Sequence, residues 1–260
     1  MKNLKQTDPE IFSLIKAEEK RQKDVLEMIP SENYASQAVM QALGTVLTNK
    51  YSEGFPKKRY YQGNEHIDSI EVLAAERAKK LFGVPYVNVQ PLSGAPANSA
   101  VYLALLEDGQ KLMGLSLASG GHITHGHKLG LSGRLFTFAH YDLGKDDHLD
   151  YELIKKQVQK EKPQLLICGF TAYSRTIDFK KFREIADSVG AWLMADVSHI
   201  TGLIAAGVHP SPVDYADIVT TTTHKTLRGP RGAMIMVTDR GLKRDPKLPA
   251  KIESAIIPGL

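Results

Sequence analysis

Seven short apolar segments, separated by helical or polar stretches, are the feature that most constrains the fold of this chain. They lie at 86–89, 112–117, 135–139, 164–168, 191–195, 217–222 and 233–237. Their residues are apolar in nearly continuous runs, which is typical of strands that are covered on both faces. We therefore predict an α/β fold: a mostly parallel seven-stranded sheet with helices on both faces.

The segments between these strands predict the helices. Apolar residues at helical spacing indicate one helix over 9–29, ended by Pro30, and another from Ile67 to Leu81, with Gly83 as its C-cap. Four further helices are predicted at 95–106, 122–130, 150–160 and 178–189. Suitable caps for the last two are Asp150 and Asp178 at the N-termini and Gly190 at a C-terminus.

Composition excludes several classes of protein. The 260 residues include 33 basic and 29 acidic residues, a net charge of +4, which does not demand a nucleic-acid partner. A single cysteine, Cys168, excludes a disulfide framework, and its apolar surroundings predict a buried side chain. No segment has the roughly 20 apolar residues of a membrane span, and the first residues do not resemble a signal peptide. We expect a cytoplasmic protein with no membrane partner.

Three polar groups occur where predicted strands end, and the carboxyl ends of such strands are where ligands bind in open α/β sheets. Asp196 and His199 follow one strand and Lys225 follows the next. Alternatives are an aspartate that caps the following turn and a lysine that is solvated at the surface. A lysine buried at this edge would instead have a lowered pKa, and its amine could act as a nucleophile.

The third group is a tight turn before a predicted helix, Ser93-Gly94-Ala95. Small residues at a helix N-terminus expose backbone N–H groups that suit a phosphate, although the turn is not a P-loop. A phosphate cradle, a carboxylate for a ring nitrogen and an amine for an aldehyde are together what pyridoxal phosphate requires.

With these residues in view, the sequence resembles the serine hydroxymethyltransferase family of fold-type I pyridoxal-phosphate enzymes. The likeness runs from about residue 9 to the last residue, and its most specific motif is Thr-Thr-Thr-Thr-His-Lys-Thr at 220–226. Further matching stretches are 30–34, 47–54, 58–63, 88–91 and 120–122.

The resemblance implies a role for each cofactor-side residue. Lys225 would form the Schiff base and Asp196 would pair with the pyridine nitrogen. His122 would stack on the ring, while His199 and Thr171 would lie near the ring hydroxyl. The phosphate loop would be Ser93, Gly94 and Ala95, where the family usually has a serine in place of Ala95 and so one more hydroxyl contact.

The resemblance also implies substrate-side residues for the transfer of the serine hydroxymethyl group to tetrahydrofolate, which leaves glycine. Glu53 would be the acid/base group, and His224 would bear on substrate specificity, with Arg231 close to the substrate. Tyr51, a further cofactor-binding residue, and Glu53 would reach into the partner subunit's site, which implies a homodimer or higher oligomer with shared sites. The other substrate-side and folate-side positions are Ser31, Tyr60, Tyr61, Leu117, Gly121 and Ile123.

The histidines of His122-x-x-His125-x-His127 have a competing interpretation as a metal site. No carboxylate or cysteine motif completes such a site, so we predict no metal. His125 and His127 are predicted to be partly exposed residues of the helix over 122–130.

By resemblance, residues 1–62 form an N-terminal helix and a loop segment that contacts the partner, and residues 63–260 form the cofactor-binding large domain. The family continues into a C-terminal small domain that supplies the arginine for the substrate carboxylate, and we expect that domain to be absent here. The alternatives are therefore a catalytically silent cofactor-binding or interaction fragment, or threonine aldolase-like cleavage without folate. A downstream reading frame for the small domain would favour the transferase.

Overall fold

The computed structural model describes residues 2–260, which form two units, one up to Asn33 and one from Tyr34 to Leu260. The first unit contains α1 (Lys2–Thr7) and α2 (Pro9–Asp24). The Asp8 carboxylate caps α2 by accepting a hydrogen bond from the Ile11 amide at 3.0 Å. The predicted end at Pro30 is wrong, because the backbone is already extended at Val25. A β-branched residue gains little from a helix whose side chains are not buried.

The second unit contains a seven-stranded sheet, and all seven predicted strands are confirmed within two residues at their ends. The sheet order is β3-β9-β8-β7-β6-β4-β5. Four neighbouring pairs are parallel, and β9 runs antiparallel to both of its neighbours. The strands are β3 (Tyr86–Asn88), β4 (Lys111–Leu115), β5 (Thr137–Tyr141), β6 (Leu165–Cys168), β7 (Trp192–Asp196), β8 (Ile218–Thr222) and β9 (Ala233–Val237), and a separate hairpin joins β1 (Gly54–Phe55) to β2 (Lys58–Arg59).

Helices cover both faces of this sheet, as predicted. Side chains alternate between the faces, so that Leu193 and Ala195 of β7 join one buried cluster and Met194 joins the other. The first cluster includes residues of α7 and α8, and the second includes residues of α5 and α11. The helices of this unit are α3 (Gln37–Leu43), α4 (Glu65–Phe82), α5 (Gly94–Leu105), α6 (Leu131–Leu135), α7 (Tyr151–Glu161), α8 (Phe179–Asp187), α9 (Thr201–Ala205), α10 (Asp239–Arg244) and α11 (Leu248–Ile256).

Three of the four predicted helix caps are confirmed. The carboxylates of Asp150 and Asp178 accept hydrogen bonds from backbone amides at 2.9 and 3.1 Å, which satisfies donors that the first helical turn leaves open. Gly83 ends α4 in the left-handed conformation, at φ +67°. Gly190 is also left-handed, at φ +70°, but the prediction that it caps α8 is wrong because that helix ends at Asp187 with Ser188 as its cap.

The predicted helix over 122–130 is wrong. These residues form turns, and the short helix α6 follows them. Gly126, inside this range, has a φ value of +99°, which a regular helix does not permit. A Cβ atom at Gly126 would lie 2.8 Å from the Cβ of Phe138, so the turn packs closely on β5. Tertiary packing therefore overrides the local apolar pattern here.

Within residues 2–260, no helix is both long enough and apolar enough to span a membrane. Cys168 is fully buried in β6, as predicted, and burial raises the pKa of its thiol.

Candidate functional site

A cavity of about 190 Å³ lies at the carboxyl end of the parallel strands, where the loops that follow β3, β4, β6, β7 and β8 meet. Its position follows from the topology, since parallel strands deliver their carboxyl ends to the same edge of the sheet. Ten of the residues singled out from the sequence line this cavity: Ser93, Gly94, Ala95, His122, Thr171, Asp196, His199, His224, Lys225 and Arg231.

Asp196, the last residue of β7, holds a buried carboxylate in this cavity. Its Oδ1 accepts hydrogen bonds from the Ser198 hydroxyl at 2.7 Å and the Ser198 amide at 3.2 Å. Its Oδ2 accepts from Asn98 Nδ2 at 2.9 Å and from His125 Nε2 at 3.0 Å. Burial raises the pKa of Asp196, but these hydrogen bonds outweigh burial and hold the pKa well below its usual range. The carboxylate therefore stays ionised and also caps the turn after β7.

His125 is the most important site residue that the sequence prediction missed. We predicted a partly exposed helix residue, but His125 is only 1% exposed and lies in a turn, with its ring donating to Asp196. The imidazole reaches the carboxylate because the turn folds back against β4, where a Cβ at Gly114 would be 3.1 Å from the His125 Cβ. Sequence spacing carries no signal of this long-range contact. His127 is half-buried and is not in a helix either.

Asn98 is the second residue that was missed, and the sequence did carry a signal for it. This amide lies in the first turns of α5 among apolar neighbours and is almost fully buried. Besides bonding Asp196, its Nδ2 donates to Thr124 Oγ1 at 2.9 Å and its Oδ1 accepts from Thr220 Oγ1 at 2.8 Å. A buried amide needs such partners, so an asparagine inside an apolar helix predicts a polar contact.

The tautomer of His122 follows from its contacts. The Thr124 amide donates to His122 Nδ1 at 3.2 Å, and the Thr124 hydroxyl lies 2.8 Å from the same nitrogen. Nδ1 therefore acts as an acceptor, and the proton of the neutral ring lies on Nε2. Burial lowers the pKa of His122, and the nearby His125 adds to that shift.

Lys225 lies in the loop after β8 and lines the same cavity as Asp196. Burial lowers the pKa of its ammonium group; the Asp196 carboxylate opposes this shift and the Arg231 guanidinium reinforces it. A lowered pKa increases the fraction of lysine that is a neutral amine, which is the nucleophilic form. This environment favours the reactive interpretation of Lys225 over a solvated surface group.

The two remaining histidines of the cavity are also held neutral. Burial, reinforced by the charge of Lys225, lowers the pKa of His199 to about 4. Burial and the charge of Arg231 lower the pKa of His224, whose Nε2 lies 3.5 Å from an Arg231 Nη1 atom. Neutral rings can accept hydrogen bonds from a ligand, which a protonated imidazole cannot do.

Acidification should destabilise the wild-type chain more than the His199→Asn variant. Unfolded histidine has a pKa near 6.5, whereas folded His199 titrates at about 4. Between these values the unfolded chain binds a proton that the folded chain does not, so this stability is complete above about pH 6.5 and is lost as the pH falls towards 4. Because the ring is only half-buried, solvent screening reduces the effect to about 1–2 kcal/mol.

Urea unfolding between pH 7.5 and about 4 measures this difference as the gap between the two free-energy curves. The exposed-site variant His148→Asn is the control and should follow the wild-type curve. If the free energy of unfolding changes with pH in the same way in wild type and His199→Asn, His199 makes no pH-dependent contribution to stability.

A second and larger cavity, of about 1000 Å³ and mainly apolar, adjoins the first at Ala95. Three further residues singled out from the sequence line it: Tyr51, Glu53 and Ile123. The Tyr51 and Tyr61 rings pack with centroids 5.9 Å apart. The residues lining the two cavities do not include Tyr60, Tyr61, Leu117 or Gly121, and Ser31 belongs to the unit of residues 1–33.

The described part of the chain contains no group of three or more histidine, cysteine, aspartate or glutamate side chains placed to hold a metal ion. The ring centroids of His122 and His125 are 5.7 Å apart, but Nε2 of His125 already forms a hydrogen bond with Asp196.

Comparison with known proteins gives consistent matches. The family model described as "Serine hydroxymethyltransferase" matches residues 4–260. A serine hydroxymethyltransferase of Prochlorococcus marinus (strain MIT 9313) is 56% identical over 257 residues, which are 98% of this chain and 58% of the relative. That of Desulfotalea psychrophila is 55% identical over 260 residues, 100% of this chain and 60% of the relative. That of Mycoplasmopsis agalactiae is 58% identical over 238 residues, 92% of this chain and 56% of the relative.

The chain thus spans about three fifths of the length of the curated relatives it matches. The family match covers nearly every residue of the chain, and it includes the loops that line both cavities. The chain belongs to the serine hydroxymethyltransferase family.

Proposed function

We propose that this chain is the pyridoxal-phosphate-binding large domain of an enzyme that transfers the hydroxymethyl group of serine to tetrahydrofolate and leaves glycine. The observation that carries the proposal is that Lys225 and Asp196 line the same cavity. The pKa of the lysine is lowered, and the pKa of the aspartate is also lowered. An amine that can be neutral and a carboxylate that stays ionised are the two groups that the aldehyde and the ring nitrogen of this cofactor need.

The residues of the first cavity fit the phosphate of this cofactor as well. The Ser93 side chain makes no capping hydrogen bond to α5, so its hydroxyl and the first amides of the helix remain available to an anion. A Cβ at Gly94 would lie 2.9 Å from Thr222 Cγ2, so only glycine lets the backbone approach so closely. The buried Thr222 hydroxyl has no hydrogen-bond partner among the described residues. These groups could replace part of the phosphate binding that the family's serine provides and that Ala95 cannot provide.

Each residue of the first cavity would have a separate role toward the cofactor or the substrate. Lys225 would hold the cofactor aldehyde and give way to the substrate amine, while Asp196 would keep a proton on the ring nitrogen. His122 would pack against the ring, and His199 and Thr171 would lie near its hydroxyl. His224 and Arg231, which are in contact with one another, would border the substrate. When bound, pyridoxal phosphate supplies an electron-withdrawing ring that stabilises negative charge on the substrate's α-carbon.

The folate side of the reaction is assigned to the second cavity and its surroundings. Its mainly apolar lining suits a flat aromatic ring, and Glu53 at its wall would move the protons of the one-carbon transfer in a site that is shared with the partner subunit. By resemblance, the further substrate-side positions are Ser31, Tyr60, Tyr61, Leu117, Gly121 and Ile123, while Tyr51 would contact the cofactor.

We also propose that the chain acts as a homodimer or higher oligomer in the cytoplasm, with Tyr51 and Glu53 reaching the partner's site. Residues 1–62 would contact the partner and residues 63–260 would hold the cofactor.

In the test, the purified chain is incubated with pyridoxal phosphate and then treated with borohydride. Borohydride reduces any C=N bond between the cofactor aldehyde and a lysine amine, so that the link becomes stable. Peptide mass spectrometry should then find the cofactor on Lys225. In parallel, conversion of serine to glycine is measured with and without tetrahydrofolate. Folate-dependent turnover supports the transferase, whereas folate-independent cleavage of hydroxy amino acids supports the aldolase-like alternative. A link without turnover identifies a cofactor-binding portion that needs further chain, and the absence of any link contradicts the proposal.

A further inference from the structure

The guanidinium of Arg59 is the centre of a polar network in the wall of the second cavity. Its side chain is only 4% exposed, although the residue lies in the short hairpin strand β2. Nε donates to Asp68 Oδ1 at 2.9 Å and one terminal nitrogen donates to Glu71 Oε2 at 2.7 Å. Both acids lie on α4, so one arginine joins the hairpin to that helix through two charge-assisted hydrogen bonds.

The other terminal nitrogen of Arg59 binds the backbone on both sides of Glu53. It donates to the carbonyl of Ser52 at 2.6 Å and to the carbonyl of Gly54 at 2.8 Å. The carbonyl of Glu53 itself accepts a hydrogen bond from the Tyr60 amide at 3.0 Å. Three successive carbonyls are therefore held by residues 59 and 60, while the Glu53 side chain remains exposed at the cavity wall.

Gln90 ties the same network to the loop that leads into α5. Its Nε2 donates to the Gly54 carbonyl at 2.9 Å and to Glu71 Oε1 at 3.0 Å. Gln90 lies three residues before Ser93, at which the first cavity begins. The segment around Glu53 is thus fixed relative to the loop that borders both cavities.

We propose that Arg59 is a positioning residue that fixes the backbone of Ser52, Glu53 and Gly54 and so holds the Glu53 carboxylate at the wall of the second cavity. The consequence for proton transfer rests on the function proposed above, whereas the fixing of the segment does not. A carboxylate on an unrestrained loop samples many positions, and a small displacement of a proton-transfer group lowers its efficiency strongly.

The geometry requires arginine and not merely a positive charge. Four acceptors accept hydrogen bonds from one guanidinium, whose fixed fork of donors reaches all of them at once. A lysine ammonium carries three donors on a single nitrogen and cannot span two carbonyls and two separate carboxylates. Arg59→Lys therefore keeps the charge and removes the positioning.

The first test measures hydrogen exchange of the amides of residues 52–60 in the intact chain and in Arg59→Lys. We expect exchange of the Tyr60 amide to be roughly tenfold faster or more in the variant, while amides of α5 keep their wild-type rates. Arg183→Lys is the matched control, because Arg183 is also a buried arginine, bonded to Asp217 and to the Ala191 carbonyl. Unchanged exchange in Arg59→Lys, or equal acceleration of residues 52–60 in the control, would overturn the proposal.

The second test compares two rates in the cofactor-loaded chain: folate-dependent formation of glycine and folate-independent cleavage of a hydroxy amino acid. Arg59→Lys should reduce the ratio of the first rate to the second at least about fivefold, and Arg183→Lys should leave the ratio unchanged. A ratio that Arg59→Lys does not alter overturns the catalytic consequence. A wild-type chain that binds the cofactor without either activity would be a cofactor-binding portion that needs further chain, and the exchange rates would then decide whether Arg59 fixes the segment.

Discussion

Replacing Lys225 with alanine is expected to eliminate the covalent link to pyridoxal phosphate and to lower turnover by about 10³-fold or more. The reason is that Lys225 is the lysine lining the first cavity, where burial lowers the pKa of its amine. No other amine of the described chain is placed there to attack the aldehyde. Borohydride trapping followed by peptide mass spectrometry measures the link, and the rate of serine-to-glycine conversion measures the turnover.

Two further variants test whether the effect depends on the amine of Lys225 and not on its positive charge or on lysines in general. Lys225→Arg keeps a positive charge near Asp196, but a guanidinium stays protonated and cannot act as the nucleophile. It should therefore lose the link as completely as Lys225→Ala. Lys160→Ala, at an exposed position of α7, should retain both link and turnover. Trapping of the cofactor on another lysine of Lys225→Ala, with turnover preserved, would contradict the assignment.

The sheet could be predicted from the sequence because its determinants are local. Strands buried on both faces need apolar residues at every position, as in Leu165-Leu166-Ile167-Cys168, and such runs are visible without knowledge of their neighbours. The cavity followed from topology, since Asp196 and Lys225 come after adjacent parallel strands. The family resemblance supplied other positions in that cavity, such as His122 and Thr171.

The failures concern groups whose environment is created by distant parts of the chain. His125 was assigned to a partly exposed helix because its contact, Asp196, is 71 residues away. The helix over 122–130 was predicted from local sequence, but the packing of Gly126 against Phe138 decides the backbone there. The network around Arg59 was missed for the same reason, because its acceptors lie on a hairpin and on α4, and Gln90 joins it from the loop after β3.

Replacing Gly169 with alanine is expected to destabilise the chain by about 3–5 kcal/mol and to disturb the site. Gly169 follows β6 at φ +112°, and a Cβ there would lie 1.9 Å from the carbonyl oxygen of Asp196. The backbone conformation alone costs a non-glycine residue roughly 1–2 kcal/mol, and a clash with backbone atoms that cannot rotate away adds a few more. Relief of the clash would require β7 to move at the residue that carries the cavity's carboxylate.

Gly190→Ala provides the matched control, because Gly190 also has a positive φ, +70°, but a Cβ there would meet nothing within 4 Å. The control should lose only about 1–2 kcal/mol from backbone strain. Urea unfolding gives both values, and cofactor trapping on Lys225 reports the site. If Gly169→Ala does not accumulate as folded protein while Gly190→Ala does, the large effect is still supported, since a domain's total stability is only about 5–15 kcal/mol. Equal losses in the two variants would mean that β6 and β7 separate easily, and that the close approach of their ends does not hold Asp196 in place.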